Sequence, residues 1–298
     1  MTTITVFGGT GFLGRAIVGT LFNAGHHVRI AARQPTLPAW ADAGDSLSLF
    51  RADIRNAHQV AEALNGADGA VNAVSLYVQR RDLRFDAIHV DAAAQLARLA
   101  RAAGIERLVH LSGIGVDPRS PSAYVRARAA GEAAVLEAFP RATLLRPSVL
   151  FGPEDAFLTA LAGLTRLPVI PLFGRGETRL QPVHVNDVAR AVDRILGSHP
   201  PPQRLFELGG PDVLRYRDVL GQVMAHLARE RPLIPIPLPL WHGLALIASA
   251  LPSPPLTRDQ VILMARDNLA DPDIAGFQTL GILPHALRDS LPDCLDRG

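Results

Sequence analysis

The chain contains no lysine: all 30 of its basic residues are arginine, set against 28 acidic residues, for a net charge of +2. A chain this close to neutral gives no electrostatic reason to expect nucleic acid as a partner. Its single cysteine, Cys294, excludes an internal disulfide and a cysteine-based zinc site. Because no histidine and carboxylate spacing typical of metal ligands occurs either, no metal is expected.

Long apolar runs are also absent. The most apolar segment, residues 233–251, has three prolines in its first half, and its unbroken part, Trp241 to Leu251, is too short to span a bilayer. This segment predicts a core helix behind a proline-rich entry, with a membrane-surface helix or a lid over a hydrophobic ligand as the alternative. The N-terminus lacks the basic region and cleavage site of a signal peptide. We therefore expect a cytoplasmic location, or peripheral attachment at the inner face of a membrane.

Short apolar runs alternate with amphipathic stretches in the first half of the chain. The runs predict strands at residues 3–7, 27–32, 47–50, 69–74, 107–112 and 143–147. The amphipathic stretches predict helices at residues 12–24, 56–65, 84–103 and 122–138. This alternation predicts right-handed βαβ units and hence an α/β fold with a doubly wound parallel sheet of the Rossmann type.

The second half is punctuated by proline and glycine and repeats the pattern less regularly. We expect a dinucleotide-binding domain over residues 1–150 and a smaller C-terminal α/β lobe over residues 151–298. Residues 182–212 are expected to return to the first domain.

A glycine-rich segment, VFGGTGFLG at residues 6–14, joins the first predicted strand to the first helix. Gly8 allows a tight turn, Gly11 lets a pyrophosphate approach the backbone, and Gly14 allows the helix to pack closely on the strand. We expect this loop, including Phe12 and Leu13, to bind a dinucleotide.

The second strand ends in Ala31, Ala32 and Arg33, where NAD-binding folds usually carry an acidic residue for the ribose 2′-hydroxyl. An arginine at this place can bind a 2′-phosphate, so NADP(H) is favoured over NAD(H). Arg15 either assists or is a surface residue.

Several further motifs carry a family resemblance. They are RADI at 51–54, Ser112, Tyr124, LLRPSVLFGPEDAF at 144–157, QPVHVNDVARAV at 181–192, ELGGPDVLRYRDVL at 207–220 and PPLTRDQVILMARDN at 254–268. Together with the glycine loop, they resemble the extended short-chain dehydrogenase/reductase superfamily. Within it, the chain is similar to the atypical subgroup named for the nucleotide-binding accessory subunit of respiratory complex I. Bacterial members of this subgroup are usually described as NAD-dependent epimerase/dehydratase-like proteins.

The resemblance implies roles for individual residues. Asp53 and Ile54 would lie beside the adenine, and Asn72, Ala73 and Val74 would support the adenine ribose. Arg146, Pro147 and Ser148 would run beneath the nicotinamide, and His184 and Asp187 would lie where the chain returns to the first domain. Ser112 would hydrogen-bond a substrate carbonyl, and Tyr124 would be the general acid or base.

Two positions depart from the pattern of active members: His89 replaces an asparagine that organises a proton relay, and Arg128 replaces the lysine that follows the catalytic tyrosine by four residues. Arg128 keeps the positive charge that lowers a tyrosine pKa, and it can still bind the cofactor ribose. It cannot take part in a proton relay, because a guanidinium does not release its proton. Since the chain avoids lysine throughout, the substitution is a weak sign of lost activity.

Three functions remain open from the sequence. One is an NADP(H)-dependent oxidoreductase that acts on a carbonyl or alcohol of an apolar or quinone-like molecule, with Ser112, Tyr124 and Arg128 as its catalytic residues. Another is a non-catalytic NADPH-binding module that docks to a protein partner in a respiratory or quinone-related complex. The third is a nucleotide-sugar epimerase or dehydratase.

Overall fold

The computed structural model describes residues 2–41, 46–79, 83–197, 199–248 and 256–295. The strands are β1 (Thr3–Phe7), β2 (His27–Ala32), β3 (Leu47–Arg51), β4 (Gly69–Asn72), β5 (Arg107–Leu111), β6 (Thr143–Pro147), β7 (Leu150–Phe151), β8 (Ile170–Phe173), β9 (Arg179–Leu180), β10 (Val183–His184), β11 (Leu205–Leu208), β12 (Leu214–Arg215) and β13 (Leu233–Ile236). The helices are α1 (Phe12–Asn23), α2 (Ala57–Leu64), a π-helical segment (Ala87–Ala92) that continues as α3 (Ala93–Ala102), α4 (Ala123–Ala138), α5 (Ala156–Leu164), α6 (Val185–Leu196), α7 (Tyr216–His226), α8 (Leu238–Ala248), α9 (Arg258–Met264) and α10 (Leu287–Leu295).

Seven strands form one parallel sheet in the order β11-β6-β5-β4-β1-β2-β3. The strand order reverses between β1 and β4, where the connections leave in opposite directions. In such a sheet, ligands bind at the carboxyl ends of the strands beside this reversal. The Rossmann fold predicted from the sequence is therefore confirmed, with β11 as a seventh strand.

Helices cover both faces of the sheet. On one face α1 and α6 bury Ile17, Val18 and Val192 against the central strands. On the other face α2, α3 and α4 bury their apolar sides, including Leu96 and Val135. Because helices cover both faces, every residue of β4 and all but Thr3 of β1 are buried.

The C-terminal residues form a separate core from α5, α7, α10 and the short strand β8. Helix α8 lies at its surface. Trp241 fixes the helix, because its indole Nε1 donates to the carbonyl oxygen of Leu172 at 2.9 Å and its ring packs on Phe173 with centroids 4.4 Å apart.

The other side of α8 is exposed and apolar, with Leu240, Leu244, Leu246 and Ile247 between 51% and 74% exposed. The core helix expected over residues 241–251 is therefore wrong for residues 241–248, because only Ala245 of α8 is buried. Residues 249–251 lie outside the described residues. In the described ranges, no helix combines the length and hydropathy needed to cross a membrane.

Candidate functional site

The turn between β1 and α1 presents backbone N–H groups at the carboxyl edge of the sheet. Gly8 has a φ of +80°, and its N–H donates to the carbonyl oxygen of Ala31 at 2.8 Å, while the N–H of Gly11 donates to the carbonyl oxygen of Gly8 at 2.9 Å. Helix α1 begins at Phe12, and no side chain caps its first N–H groups. An uncapped helix N-terminus carries partial positive charge, so this turn suits a pyrophosphate.

Close packing of α1 on this turn depends on Gly14. A Cβ added at Gly14 would lie 2.0 Å from the carbonyl oxygen of Gly8, whereas a Cβ at Gly11 would meet only that oxygen, at 3.2 Å. The glycine residues therefore have the geometry that the sequence predicted. Contact of a cofactor with Gly8, Gly11, Phe12, Leu13 and Gly14 stays a prediction.

The ends of β2 and β3 bring opposite charges together beside the predicted adenosine position. The carboxylate of Asp53 accepts from Arg55 Nε at 3.0 Å and from Arg55 Nη2 at 2.6 Å, and these hydrogen bonds hold the pKa of Asp53 below its usual value. Arg33 is exposed and close enough to lower the same pKa further. Ile54 is 5% exposed and supplies an apolar surface next to them. Arg33 is thus available to a solvent-borne anion.

The segment after β4 is held rigidly. Asn72 is buried, its Nδ2 donates to His110 Nδ1 at 3.1 Å, and its Oδ1 accepts from the N–H of Val74 at 3.2 Å. The N–H of Ala73 donates to the carbonyl oxygen of Phe7 at 2.9 Å. These bonds keep residues 72–74 at the carboxyl edge of the sheet, next to the glycine turn.

The segment after β6 is fixed from the C-terminal part of the chain. The hydroxyl of Ser148 donates to Asn268 Oδ1 at 2.6 Å, and the carbonyl oxygen of Pro147 accepts from the N–H of Ile114 at 3.1 Å. Arg146 points elsewhere, to a pair of carboxylates on α4 and β11. Asn268 was given no role of its own from the sequence, although it ends the motif at residues 254–268 that carries part of the family resemblance.

The structure brings Tyr124, Arg128 and the strand end that carries Ser112 together. Arg128 is 8% exposed, and its Nε donates to the phenol oxygen of Tyr124 at 2.8 Å. Its Nη2 donates to the hydroxyl of Ser75 at 3.0 Å and its Nη1 lies 3.5 Å from the carbonyl oxygen of Leu111. The hydroxyl of Ser112 is buried and has no hydrogen-bond partner among the described residues. A buried hydroxyl without a partner is rare and is typical of a site that a ligand completes.

Two opposing effects act on the protonation of Tyr124. Burial raises the pKa of Tyr124 above its ordinary value, and the positive charge of Arg128 lowers it in part. Arg128 remains charged, because its interactions with Tyr124, Tyr77 and Glu132 raise its pKa despite its burial. The phenol is therefore protonated at neutral pH and can donate a proton.

His89 lies on the π-helical segment and faces Tyr124. Its Nε2 donates to the carbonyl oxygen of Leu76 at 3.0 Å, and burial lowers the pKa of His89 to about 4. A Cβ added at Gly131 of α4 would lie 2.0 Å from the carbonyl oxygen of His89, so α4 approaches the backbone of this segment closely. π-helical turns often occur at functional sites, where they redirect a side chain.

Aromatic rings surround Tyr124. The ring of Tyr77 stacks on it with centroids 5.8 Å apart, and the rings of Phe85 and His89 meet it edge-on at 5.5 Å and 5.6 Å. Tyr77 is 64% exposed, so it forms the outer side of this cluster. Phe85 and His89 are buried behind it, so among these rings the one open to solvent is that of Tyr77.

Helix α9 contacts the beginning of α4. Asp259 accepts a hydrogen bond from the hydroxyl of Ser122, which caps α4, and its carboxylate lies 3.5 Å from the N–H of Tyr124. Because α8 packs on α9, the exposed apolar helix is connected to the helix that carries Tyr124. The sequence gave no sign of this link, since Asp259 lies 135 residues after Tyr124.

A cluster of possible metal ligands lies apart from Tyr124, and the sequence analysis missed it. Ligand atoms of His184, Asp187 and His285 lie within 4.8 Å of one another. The carboxylate of Asp187 is already shared: it accepts from Arg190 Nη2 at 2.5 Å and from the backbone N–H of His285 at 2.7 Å. Because Arg190 neutralises this carboxylate, the cluster is better explained as a link between α6 and the C-terminal segment.

Arg15 points away from the second strand. Its guanidinium pairs with Glu154 at 3.2 Å, and both side chains are exposed. Of the two roles considered from the sequence, the surface role fits this geometry.

Comparison with known proteins supports the same fold. The sequence profile described as "NAD dependent epimerase/dehydratase family" matches residues 4–209. A solved structure of the Bordetella bronchiseptica enzyme WbmG, in complex with NAD and UDP, has a TM-score of 0.73 at 16% identity, covering 98% of this chain and 93% of that one. At this identity the likeness concerns the fold alone.

Two curated relatives are similar in sequence. One is subunit 9 of the "NADH dehydrogenase [ubiquinone] 1 alpha subcomplex, mitochondrial" of Arabidopsis thaliana, 32% identical, covering 95% of this chain and 75% of that protein. The other is the ceramide reductase of Caulobacter vibrioides, 31% identical, covering 62% of this chain and 58% of that protein.

These comparisons correct one expectation and settle the family. The cytoplasmic location inferred from the N-terminus is contradicted by the relatives of Arabidopsis, Neurospora and mouse, which are named as mitochondrial. The inference rested on the N-terminal residues alone, and these do not specify a compartment. The family profile matches residues 4–209, which is most of the chain, and the sheet and the glycine turn are both present. The chain therefore belongs to the NAD-dependent epimerase/dehydratase family.

Proposed function

We propose that the chain binds NADP(H) at the carboxyl edge of its sheet and transfers hydride to or from a carbonyl or alcohol carbon. The observation that carries this proposal is the buried guanidinium of Arg128, which binds the phenol oxygen of Tyr124 at 2.8 Å and lies 3.5 Å from the carbonyl oxygen of Leu111, the residue before Ser112. The hydroxyl of Ser112 is buried and has no hydrogen-bond partner among the described residues, and a positive charge supports the tyrosine.

The residues at the carboxyl edge fit a dinucleotide. The uncapped N-terminus of α1 suits the pyrophosphate, and Gly14 keeps this helix close to the turn. Exposed Arg33 supports a preference for the 2′-phosphate of NADP(H), because a guanidinium makes strong charge-assisted bonds to phosphate. Asn72, Ala73, Val74 and Pro147 would line the rest of the cofactor cleft.

The bound cofactor would supply the hydride, and the residues of this chain would manage the oxygen and its proton. Ser112 would donate a hydrogen bond to the substrate carbonyl oxygen. Tyr124 would transfer its proton to that oxygen as the alcohol forms. Arg128 would stabilise the tyrosinate that remains, through the Nε–H bond that it already makes to the phenol oxygen.

The aromatic surface around Tyr124 supports an apolar or quinone-like substrate. The exposed ring of Tyr77, which stacks on Tyr124, offers an aromatic face to such a molecule. The named activity of the Caulobacter relative, a ceramide reductase, also favours a reduction of an apolar molecule. We therefore prefer a carbonyl reductase to a nucleotide-sugar epimerase or dehydratase.

Turnover measurements test this proposal. NADPH oxidation is followed with a panel of quinones and apolar ketones, and binding of NADPH is measured separately. We expect Tyr124→Phe and Ser112→Ala to lower kcat/KM by about 100-fold or more, with NADPH affinity changed by less than about threefold. Turnover that survives Tyr124→Phe unchanged would exclude this tyrosine as the proton donor.

A second candidate function is a non-catalytic NADPH-binding module in a respiratory complex. It is favoured by the exposed apolar side of α8, which is connected to α4 through Asp259, and by the Arabidopsis relative, a named subunit of such an enzyme. Apolar patches of this kind commonly mark protein interfaces. In this case α8 would contact a protein partner.

The same assays distinguish the two candidates. Tight NADPH binding without turnover supports the module, provided that Arg128→Lys does not create turnover. Leu244→Arg should then release the chain from its complex in a membrane extract, while Leu49→Arg, at another exposed leucine, should not. If Leu244→Arg instead abolishes binding of the purified chain to protein-free vesicles of anionic lipid, α8 contacts the membrane surface and the protein-docking role is wrong.

A further inference from the structure

Ser75 lies beside Tyr124 and was not among the residues singled out from the sequence. It is in the connection between β4 and the π-helical segment and is half-buried. Its hydroxyl oxygen accepts a hydrogen bond from Arg128 Nη2 at 3.0 Å, while Arg128 Nε donates to the Tyr124 oxygen at 2.8 Å. One guanidinium therefore bridges a serine hydroxyl and the phenol.

The hydrogen atom of the Ser75 hydroxyl is directed by this arrangement. A serine oxygen that accepts from a guanidinium still has one O–H to donate. The guanidinium of Arg128 holds this hydroxyl and the phenol oxygen of Tyr124 side by side, and a hydrogen bond from Ser75 is the smallest of the effects that lower the pKa of Tyr124. The guanidinium has no lone pair that could take up a second proton, whereas an alcohol can give its proton to the phenol while its oxygen takes up another.

Other groups around the phenol are unsuited to returning a proton. Nε2–H of His89 is engaged by the carbonyl oxygen of Leu76, and burial keeps this imidazole neutral with a pKa of about 4. Tyr77 faces Tyr124 with its ring and raises the pKa of Tyr124 by charge repulsion. Farther out, His110 and Glu132 act on Arg128 and not on the phenol oxygen.

We propose that Ser75 is the residue that returns a proton to Tyr124 after each reduction, in place of the lysine-dependent relay that Arg128 cannot support. After Tyr124 has given its proton to the substrate oxygen, the Ser75 O–H bond breaks and a new O–H bond forms on the tyrosinate. A water molecule at the half-exposed side of Ser75 gives a proton to the serine oxygen, and the hydroxide that remains is neutralised by the buffer. Arg128 keeps its proton and holds both oxygens in place.

Titration of the tyrosines tests the contact without any turnover. The chain has three tyrosines, and burial raises the pKa of Tyr216 to about 12, so the ionisation of Tyr124 can be followed by ultraviolet absorbance and assigned with Tyr124→Phe. Ser75→Ala should raise the pKa of Tyr124 by about half a unit or more, because the tyrosinate loses a donor. Ser75→Thr should restore it. An unchanged Tyr124 titration in Ser75→Ala would show that the hydroxyl does not reach the phenol and would overturn the proposal.

Turnover tests the relay itself and rests on the proposed oxidoreductase function. Ser75→Ala should lower kcat about tenfold with little change in KM, raise the solvent isotope effect on kcat because the proton return becomes rate-limiting, and leave NADPH affinity intact. Ser75→Thr should recover the rate, and Ser48→Ala, which removes a hydroxyl that contacts His27 on the outer strands, should change nothing. A wild-type rate in Ser75→Ala would refute the relay. If the wild-type chain binds NADPH but turns over no substrate, the oxidoreductase proposal fails, whereas the titration still decides the Ser75 contact.

Discussion

Position 14 of α1 has no room for any side chain. The carbonyl oxygen of Gly8 occupies the space that a Cβ at position 14 would need, at 2.0 Å. Gly19, in the same helix, has ordinary space, since its added Cβ would lie 3.5 Å from the ring of Trp40. Packing therefore requires a glycine at position 14 but not at position 19.

Gly14→Ala should destabilise the chain by about 1–3 kcal/mol and weaken NADPH binding at least tenfold, because α1 must move away from the turn. Gly19→Ala should be neutral or stabilise by up to about 1 kcal/mol, through helix propensity. Urea unfolding and NADPH titration measure both variants. Equal effects of the two substitutions would contradict the close packing at Gly14.

Arg128 differs from a lysine at this place in what it contacts. Its three nitrogens are directed to the phenol of Tyr124, to Ser75 and towards the carbonyl oxygen of Leu111. A lysine ammonium has a single nitrogen and could not bind all three groups in the same way. The sequence indicated that charge would be kept, but the bridge to Ser75 depends on the loop after β4, which no sequence spacing specifies.

At the scale of elements, an ion-pair network joins α4 to the edge of the sheet. Arg146 of β6 binds Glu132 of α4 through two hydrogen bonds, of 2.9 Å and 2.6 Å, and reaches Glu207 of β11 at 3.2 Å. Both carboxylates are nearly buried. Removing the guanidinium would leave two buried negative charges without a counter-ion, one of them on the helix that carries Tyr124, although Glu207 would keep its hydrogen bond from the N–H of Asp271.

Arg146→Met should therefore lower the free energy of unfolding by about 3 kcal/mol. Arg15→Met, which breaks a pair between two exposed side chains, should cost less than about 1 kcal/mol. Chemical denaturation of the two variants gives the comparison. If Arg146→Met were as mild as Arg15→Met, the network would not hold α4 in place.

The π-helical segment shows what helical spacing cannot predict. Apolar residues from 84 to 103 indicated one continuous helix, whereas the structure has a π-helical segment from Ala87 to Ala92 before α3. Ile88, Ala92 and Leu96 are spaced by four and are all buried, so the sequence pattern contains little trace of the π-helical turn. The position of the π-helical segment follows from its packing against α4, where His89 faces Tyr124 and Gly131 approaches the backbone of His89.

At the scale of the whole molecule, the first six strands of the sheet were predictable because short apolar runs alternate with amphipathic stretches in this part of the chain. The seventh, β11, has only four residues and was not predicted, although residues 182–212 were expected to return to the sheet. Contacts made by Asp259, Asn268 and His285 were not predictable, since each joins parts of the chain that are far apart in sequence. The exposure of α8 was also missed, because apolar composition alone favours burial.

Buried histidines should make the stability of the whole chain depend on pH. Burial lowers the pKa of His89 from 6.5 to about 4, and it lowers the pKa values of His110 and His184 as well. Since the unfolded chain then binds more protons between pH 6.5 and 4, stability must fall as the pH falls through this range. The contribution of His89 is about 2 kcal/mol between pH 7 and 5.

Urea unfolding at pH 7 and pH 5 measures this loss. His89→Gln should reduce it by about 2 kcal/mol, whereas His58→Gln, at an exposed histidine, should leave it unchanged. An identical pH dependence in His89→Gln and the wild type would mean that His89 is not held neutral in the folded chain.

The central claim is that the carboxyl edge of this sheet binds NADP(H), with Arg33 reading the 2′-phosphate. Calorimetric titration of the wild type and Arg33→Ala with NADPH and with NADH tests it most directly. We expect NADPH to bind the wild type at least about tenfold more tightly than NADH, and Arg33→Ala to remove most of this difference while NADH affinity stays the same. Equal affinity of the wild type for the two cofactors would contradict the role of Arg33, and failure to bind either would contradict the site itself.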